Sequence, residues 1–369
     1  MKSRWVSIFQ ITFFLAIGLG IMYYVFNQQN IAFQEQCRLD GISSDKCSLT
    51  QKLIDDFKSA NFFWLFLMMV CFTISNISRS IRWNQLLHTL GYQPKLSNSF
   101  FTVMLSYFTN LGISRGGEVI RAATLAKYEH MSNSKVMGTV VVDRIFDMVL
   151  FGAFVLLALV TGFDTLWNFI EINASEKFGD QAALGTYVLI GLGICFLFAF
   201  TLYSIRGRFR NFSIYGKLRI KIKAFMEGMK TYRYVKDKGW FWFHSILIWV
   251  CFFLMTYFCF FAFAPTANLS IQAALMVFVF GSLGIIIPTP GGMGTYHALL
   301  IAGLGMYQIN SSDAFSYANI IFFTIQIFYN IVFGIISLIL LPIMNKGYVP
   351  KHKLAPEQES MDIQELAQN

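Results

Sequence analysis

The chain has 369 residues, of which 56% are hydrophobic and 13% charged, and its mean hydropathy is +0.54. A soluble domain carries about 25% charged residues, so the composition excludes an ordinary soluble protein and indicates a polytopic membrane protein. The net charge of +9 does not indicate a nucleic-acid partner, because membrane proteins collect Lys and Arg in their cytoplasmic loops.

The first predicted element is a transmembrane helix over about residues 5–26, where a basic start precedes an apolar run too long for a signal peptide. Residues 27–60 are polar and predict an external loop, which can include a helix on the membrane surface. Cys37 and Cys47 lie in this loop and can form a disulfide if the loop is external. The sequence alone leaves their state open, within an N-terminal unit of residues 1–61.

Further apolar runs predict membrane-embedded helices along the rest of the chain. They lie at about 62–83, 97–113, 136–161, 182–205, 240–264, 271–288, 293–309 and 315–343. The segment 206–238 carries eleven Lys and Arg residues against two acids, which places it in the cytoplasm. The acidic segment 163–181 suits an external loop, and residues 346–369 predict a disordered cytoplasmic tail. Both termini are therefore expected in the cytoplasm.

The basic segment also decides how residues 97–130 lie in the membrane. If residues 97–113 crossed the membrane alone, every later loop would lie on the opposite side of the membrane, and 206–238 would be external. Residues 114–135 cannot cross back against lipid, because they contain several charged side chains that are costly there. We therefore predict a re-entrant hairpin that turns near the sequence GISRGG, since membranes tolerate irregular backbone where it lines a cavity.

The second half of the chain repeats this pattern around the break IIPTPGGMG. Its two arms, 271–288 and 293–309, are each about 25 Å long, which is short for a hydrocarbon core of about 30 Å. A second hairpin is preferred, although two full crossings also satisfy the charge distribution. The predicted fold is an all-α polytopic membrane protein, a helical bundle of two inverted span–hairpin–span repeats with re-entrant hairpins and peripheral helices. The repeats are about 62–161 and 240–343 within a membrane domain of residues 62–345, and paired interrupted segments of this kind indicate a transporter site.

Charged residues inside these membrane segments are the candidate binding groups. Glu118 lies three residues from Arg115 and from Arg121, so it is predicted to share a helical face with each. Asp143 and Asp147 lie one turn apart within a span and need cationic partners. The group forms a structural ion-pair network, a site for an anion such as phosphate, or both, because Arg presents a fork of donors and helix N-termini add positive potential. The candidates are Arg115, Glu118, Arg121, Asp143, Arg144 and Asp147.

The break in the second half is a further candidate element. Pro288 and Pro290 remove amide donors and end the preceding arm, whereas Gly291, Gly292 and Gly294 allow positive φ and close approach. Amide groups at the start of the next helix are expected to face the cavity. No metal, cofactor or catalytic residue is predicted, because the five His are dispersed and no nucleophile–base or nucleotide-binding pattern occurs.

Four motifs, SRSIRWNQLL, SRGGEVIRAATLAK, VVVDRIFDMVLF and PTPGGMGTYHALL, together resemble the lysylphosphatidylglycerol synthase transmembrane region, also called the flippase-like or UPF0104 family. The resemblance covers about residues 60–345. In the best-known relatives, the multiple peptide resistance factors, this region moves aminoacylated phospholipid across the cytoplasmic membrane and a separate soluble domain makes the lipid. The resemblance implies phosphate-lipid handling by Arg115, Glu118, Arg121, Asp143 and Arg144, and a turn at residues 288–294.

The chain departs from the family pattern in two ways. It ends soon after its last span, so we expect the synthase domain, and with it lipid synthesis, to be absent. His297 stands where the family usually has Glu after the turn. A cavity-facing His297 would gain positive charge as the pH falls through about 6.5, whereas a neutral, buried His297 would be a packing residue, and the sequence leaves both open.

The leading functional hypothesis is a flippase-like transporter that moves an anionic phospholipid or lipid-linked headgroup across the cytoplasmic membrane. One alternative is an integral-membrane enzyme acting on a phospholipid or polyprenyl phosphate, with Asp143, Asp147 or Glu118 as base or metal ligand. Another is a non-transporting scaffold of envelope synthesis. Besides the lipid, the partners considered are a second copy of the chain and an envelope-synthesis enzyme.

Overall fold

The computed structural model of the protein describes residues 2–39, 47–113, 115–178 and 232–350. These residues form an all-α membrane protein, as predicted. The predicted span 182–205, residues 206–231 of the basic segment and the tail from residue 351 lie outside the described residues.

Two helices precede the repeats. Helix α1 (Lys2–Leu39) contains the predicted span but continues through polar residues expected to form a loop. It continues because its end packs against the next segment, where the Gln34 side chain donates to the Cys47 carbonyl. Helix α2 (Leu49–Ser59) follows, and it is the helix that the sequence allowed within this region. Cys37 and Cys47 form a disulfide with their Cα atoms 6.3 Å apart, which ties the end of α1 to the start of α2.

We expect Cys37 and Cys47 to resist alkylation in denatured protein until a reductant is added. Cys71, Cys251 and Cys259 are free and buried, so denaturant alone should make them reactive. Peptide mass spectrometry with two distinguishable alkylating reagents, applied before and after reduction, separates the two classes. In a Cys37→Ser variant, Cys47 should react without reductant. Alkylation of Cys47 in the unreduced wild type would contradict the disulfide.

Within the described residues, four helices are long and apolar enough to cross a membrane, and they open and close the two repeats. They are α3 (Phe62–His88), α6 (Asn133–Phe178), α7 (Lys238–Ala262) and α10 (Ser311–Met344). Helix α6 bends at Gly162, which has non-helical backbone angles, and then continues to Phe178. Residues 163–178 are therefore helical and not an irregular loop, with the rings of Phe163 and Trp167 stacked along the helix, whereas the external location predicted for 163–181 stays a prediction.

Four shorter helices form two hairpins between these spans. They are α4 (Leu96–Gly112) with α5 (Gly117–Tyr128), and α8 (Ile271–Ile286) with α9 (Thr295–Gly305). The helices of each pair pack against each other. Helix α9 has 11 residues, or about 17 Å, too little to cross a hydrocarbon core of about 30 Å. The segment 271–309 is therefore a hairpin rather than two crossings.

The two repeats exchange equivalent contacts. Helix α3 packs against α7, which is its counterpart in the other repeat. Helix α4 packs against α10, and correspondingly α8 packs against α6. Two repeats related by a two-fold axis would show this pattern, in which every contact of one repeat has an equivalent contact in the other. The opposite orientation of the repeats across a membrane, and the side on which each terminus lies, stay predictions.

Candidate functional site

A buried ion-pair cluster joins α3, α5 and α6. Arg79 lies 2.6 Å from Asp147, and Arg82 lies 2.6 Å from Asp143 and 2.7 Å from Asp147. Arg121 of α5 lies 3.2 Å from Asp143. None of these five side chains is more than 9% exposed. The cluster therefore contains three arginines and two aspartates that are removed from solvent.

The spacing of these residues along their helices brings them together. Arg79 and Arg82 are three residues apart on α3, and Asp143 and Asp147 are four residues apart on α6, so each pair lies on one helical face. Because these two faces meet, the Arg82 guanidinium donates to both aspartates. The ion pairs thus also fix the position of α6 against α3.

Arg79 and Arg82 were not among the site residues predicted from the sequence. Their spacing of three residues within SRSIRW was the available signal, since two arginines on one face of an otherwise apolar helix need acidic partners. Asp143 and Asp147, the aspartates flagged in the sequence, are those partners.

The cluster reaches the surface through Glu118 and Arg144. The Arg144 Nε lies 2.7 Å from a Glu118 carboxylate oxygen, and its Nη1 lies 3.1 Å from Asp147. The side chains of Arg144 and Glu118 are 34% and 32% exposed. This pair is therefore the part of the cluster that a molecule outside the bundle can contact first.

Positive charge is in excess within the cluster. Four arginines, Arg79, Arg82, Arg121 and Arg144, face three acids, so the formal charge is +1. Among the described residues, the buried Nε atoms of Arg79 and Arg121 also have no hydrogen-bond acceptor. A buried charge without full pairing is costly. The arrangement therefore has a net charge and free donors that suit an anion.

Two neutral side chains hold the arginines in place. The Arg121 guanidinium lies over the Trp83 ring, 3.8 Å from its centre, which is a cation–π geometry. The Trp83 indole donates to the Thr139 hydroxyl at 2.9 Å. From the second repeat, Ser245 accepts a longer bond of 3.4 Å from Arg82.

Arg115 does not join this cluster. Helix α5 begins at Gly117, and Arg115 lies in the preceding turn with φ of 59°. Its side chain donates to the Ile286 carbonyl at the end of α8, at 2.7 Å. The predicted helical face shared by Arg115 and Glu118 is therefore wrong, and Glu118 pairs with Arg144 instead. Arg115 connects the turns of the two hairpins.

The Gly/Pro break adopts the predicted turn. Pro290 begins a single 3₁₀ turn after Pro288 and Thr289, and Gly291, Gly292 and Gly294 have φ values of 59°, 79° and 80°. A side chain at Gly294 would collide with Ile21 of α1. Helix α1 therefore covers the start of α9, where the sequence analysis expected amide groups facing a cavity.

His297 lies in an aromatic part of the core. It is fully buried, and its ring centre lies 4.8 Å from that of Phe322 and 6.0 Å from that of Phe315. The structure thus places His297 among packed rings rather than with the charged cluster.

A further buried acid, Glu129, lies beside the end of α10. Glu129 accepts hydrogen bonds from the Lys95 backbone N–H, from Asn98 and from the Tyr348 hydroxyl. Burial and the nearby Glu129 carboxylate raise the pKa of Tyr348 to about 12, so the hydroxyl stays a donor near neutral pH. In the described part of the chain, no group of three or more His, Cys, Asp or Glu residues is arranged to hold a metal ion.

Comparison with known proteins agrees with the motifs on these helices. The profile of the lysylphosphatidylglycerol synthase TM region matches residues 49–332. A UPF0104 membrane protein of Methanocaldococcus jannaschii is 22% identical over 284 residues, covering 71% of this chain and 80% of that protein. No solved structure matches. Since the matched residues span all four hairpin helices and the charged cluster, the chain belongs to the lysylphosphatidylglycerol synthase transmembrane region family.

Proposed function

We propose that the protein moves an anionic phospholipid, or a lipid-linked anionic headgroup, across the cytoplasmic membrane. The observation that carries the proposal is the buried cluster with its excess positive charge and its free Nε donors on Arg79 and Arg121. Arg guanidinium groups bind phosphate through two parallel hydrogen bonds. A phosphodiester carries one negative charge, which balances the formal charge of the cluster.

The exposed pair Glu118–Arg144 is the proposed entry to this cluster. A headgroup phosphate can replace Glu118 as the partner of Arg144 without leaving a buried charge unpaired, because Glu118 is about one-third exposed and can turn to solvent. The acyl chains would stay in the surrounding lipid while the headgroup contacts the arginines. Both termini lie on the cytoplasmic side in this proposal, as the charge distribution predicts.

The proposal treats the protein as a carrier and not as an enzyme. The acids of the cluster are engaged by arginines, since Asp143 contacts Arg82 and Arg121 and Asp147 contacts Arg79 and Arg82. Both carboxylates are therefore already occupied as ion-pair partners within the protein. This favours positioning of a charged headgroup over proton abstraction.

A lipid-scrambling assay in vesicles tests the proposal. Purified protein is reconstituted with fluorescent phosphatidylglycerol, and a membrane-impermeant quencher reports the labelled lipid that reaches the outer leaflet. Arg144→Gln should reduce the rate roughly tenfold or more, because loss of a charge-assisted hydrogen bond costs about 1.5–3 kcal/mol. Its thermal unfolding should be close to wild type, since Arg144 is partly exposed.

Arg233→Gln is the matched control, because Arg233 is exposed and lies in a turn outside the membrane helices. It should transport at the wild-type rate. If Arg144→Gln moved lipid at the wild-type rate, the cluster would have no role in transport. Mass spectrometry of the vesicle lipids is the second measurement. A chemically altered lipid that has not crossed the membrane would favour the alternative of an integral-membrane enzyme.

A further inference from the structure

Two cavities lie along α3 outside the charged cluster. One, of about 330 Å³, is lined by Ile81, Asn84, Gln85, His88, Leu96 and Trp240. The other, of about 210 Å³, lies between α3 and α10, at the end of the π-helical part Phe322–Tyr329 and at Val332 and Phe333 beyond it. Its lining includes Phe66, Met69, Val70, Thr73, Phe328 and Tyr329.

Both cavities open on the same face of α3. Within each cavity the lining α3 residues are three or four apart, as in Phe66, Val70 and Thr73 or in Ile81 and Gln85. The step of eight residues from Thr73 to Ile81 is about two helical turns, so all lie along one side of the helix. Between the cavities this side of α3 is open, since Ile74 and Ile77 are 40% and 39% exposed. The two cavities are therefore the ends of one surface strip.

The two ends of the strip differ in chemistry. The first cavity contains amide and imidazole groups, and among the described residues the buried Gln85 Oε1 has no hydrogen-bond donor. Lys236 is close enough to interact electrostatically with His88, and Lys238 begins α7 two residues before Trp240. This end therefore offers hydrogen bonds and positive charge beside a Trp, the residue typical of a membrane interface.

The second cavity is apolar. Its lining is aliphatic and aromatic except for the hydroxyls of Thr73 and Tyr329. These two hydroxyls lie 2.7 Å apart, and Thr73 also bonds to the Met69 carbonyl. Their polar atoms are thus satisfied within the protein. The cavity suits a hydrocarbon chain and offers no unpaired group to water.

The length of the strip fits one leaflet of a bilayer. Thr73 and Gln85 are twelve residues apart on a continuous helix, or about 18 Å. Half of a hydrocarbon core of about 30 Å is about 15 Å. A headgroup in the polar cavity therefore places the end of its acyl chain at the apolar cavity.

We propose that this strip of α3 binds one anionic phospholipid as a resident ligand, with its headgroup at Asn84, Gln85 and His88 and an acyl chain in the cavity beside Val70. Arg79 and Arg82 turn to the opposite side of α3, where they bind the aspartates of α6. The resident lipid is thus separate from the cluster and its binding does not depend on the proposed transport. The acyl chain occupies the cavity between α3 and α10, which is lined in part by the π-helical residues Phe328 and Tyr329.

Native mass spectrometry of the full-length protein tests this proposal. Protein is extracted from vesicles of equal phosphatidylglycerol and phosphatidylcholine, and retained lipid is counted per chain. The wild type should retain one phosphatidylglycerol. Val70→Trp fills the apolar cavity and should reduce the retained fraction at least fivefold, and Gln85→Leu should reduce it and weaken the preference for phosphatidylglycerol.

Val160→Trp is the matched control, because Val160 is 81% exposed on α6 and lines neither cavity. It should retain lipid as the wild type does. If Val70→Trp fails to fold, Val332→Trp fills the same cavity from α10. Arg144→Gln should keep the resident lipid even where transport is lost, which separates this site from the cluster. Full retention in a folded cavity-filling variant, or no retained lipid in the wild type, would overturn the proposal.

Discussion

Asp143→Ala is expected to lower the free energy of unfolding by about 3–5 kcal/mol, the cost of removing one partner from a buried ion pair. Asp143 is fully buried and contacts Arg82 at 2.6 Å and Arg121 at 3.2 Å. Without it, Arg121 would have no carboxylate partner, and Asp147 alone would pair with Arg79 and Arg82. The side chains of Arg79, Arg82 and Arg121 are each at most 2% exposed, so solvent cannot replace the lost carboxylate.

Asp164→Ala is the control for this change. Asp164 lies on the same helix, but it is exposed, so its removal should change stability by less than about 0.5 kcal/mol. Thermal unfolding in detergent, followed by the exposure of buried cysteines, measures both variants together with the yield of folded protein. A folded Asp143→Ala protein with wild-type stability would show that the cluster does not hold these helices together.

Gly117→Ala is the second change expected to have a large effect. A Cβ atom at Gly117 would collide with the Ser106 carbonyl oxygen and lie 2.7 Å from the Asn110 Oδ1. The Gly117 N–H also donates to that Oδ1 at 2.9 Å. The collision involves backbone of the facing helix, which cannot move aside locally, so α4 and α5 would separate. Overpacking typically costs about 1–3 kcal/mol, and we expect the upper end of that range.

Gly112→Ala provides the comparison within the same hairpin. A Cβ atom there meets nothing within 4 Å, and alanine favours helix by about 0.5–1 kcal/mol over glycine. The two variants should therefore differ in the sign of their effect on the unfolding temperature. Equal destabilisation by both would indicate that any side chain near the turn is harmful, and that close helix packing is not the reason.

The sequence predicted the order of the helices because hydropathy and charge act over whole segments. The charge of residues 206–238 required a hairpin at 97–130, and α4 and α5 form it. The extent of single helices was harder to predict. Polar residues at the end of α1 are helical because they pack on α2, and that contact is between segments that the sequence does not show to be neighbours.

The candidate site was predicted in part for the same reason. Asp143 and Asp147 were recognised because an acid inside a span needs a partner. The identity of the partners depends on which helices meet, so Arg79 and Arg82 were not predicted as site residues. The different location of Arg115 follows from the point at which α5 begins, which is set by the turn and its positive φ.

The distribution of charge between the two repeats is very uneven. The seven charged side chains of the cluster belong to α3, α5 and α6, whereas residues 239–312 and 314–345 contain no Lys, Arg, Asp or Glu. Transporters built from paired repeats alternate their access by exchanging the arrangements of the repeats. In this protein the two repeats differ in charge, because all arginines of the cluster belong to the first repeat. Two states that exchange the arrangements of the repeats would therefore differ in their electrostatic environment. For the passive carrier proposed above, the lipid would reach the same equilibrium, yet we expect the lipid concentration that half-saturates the protein to differ between the two leaflets.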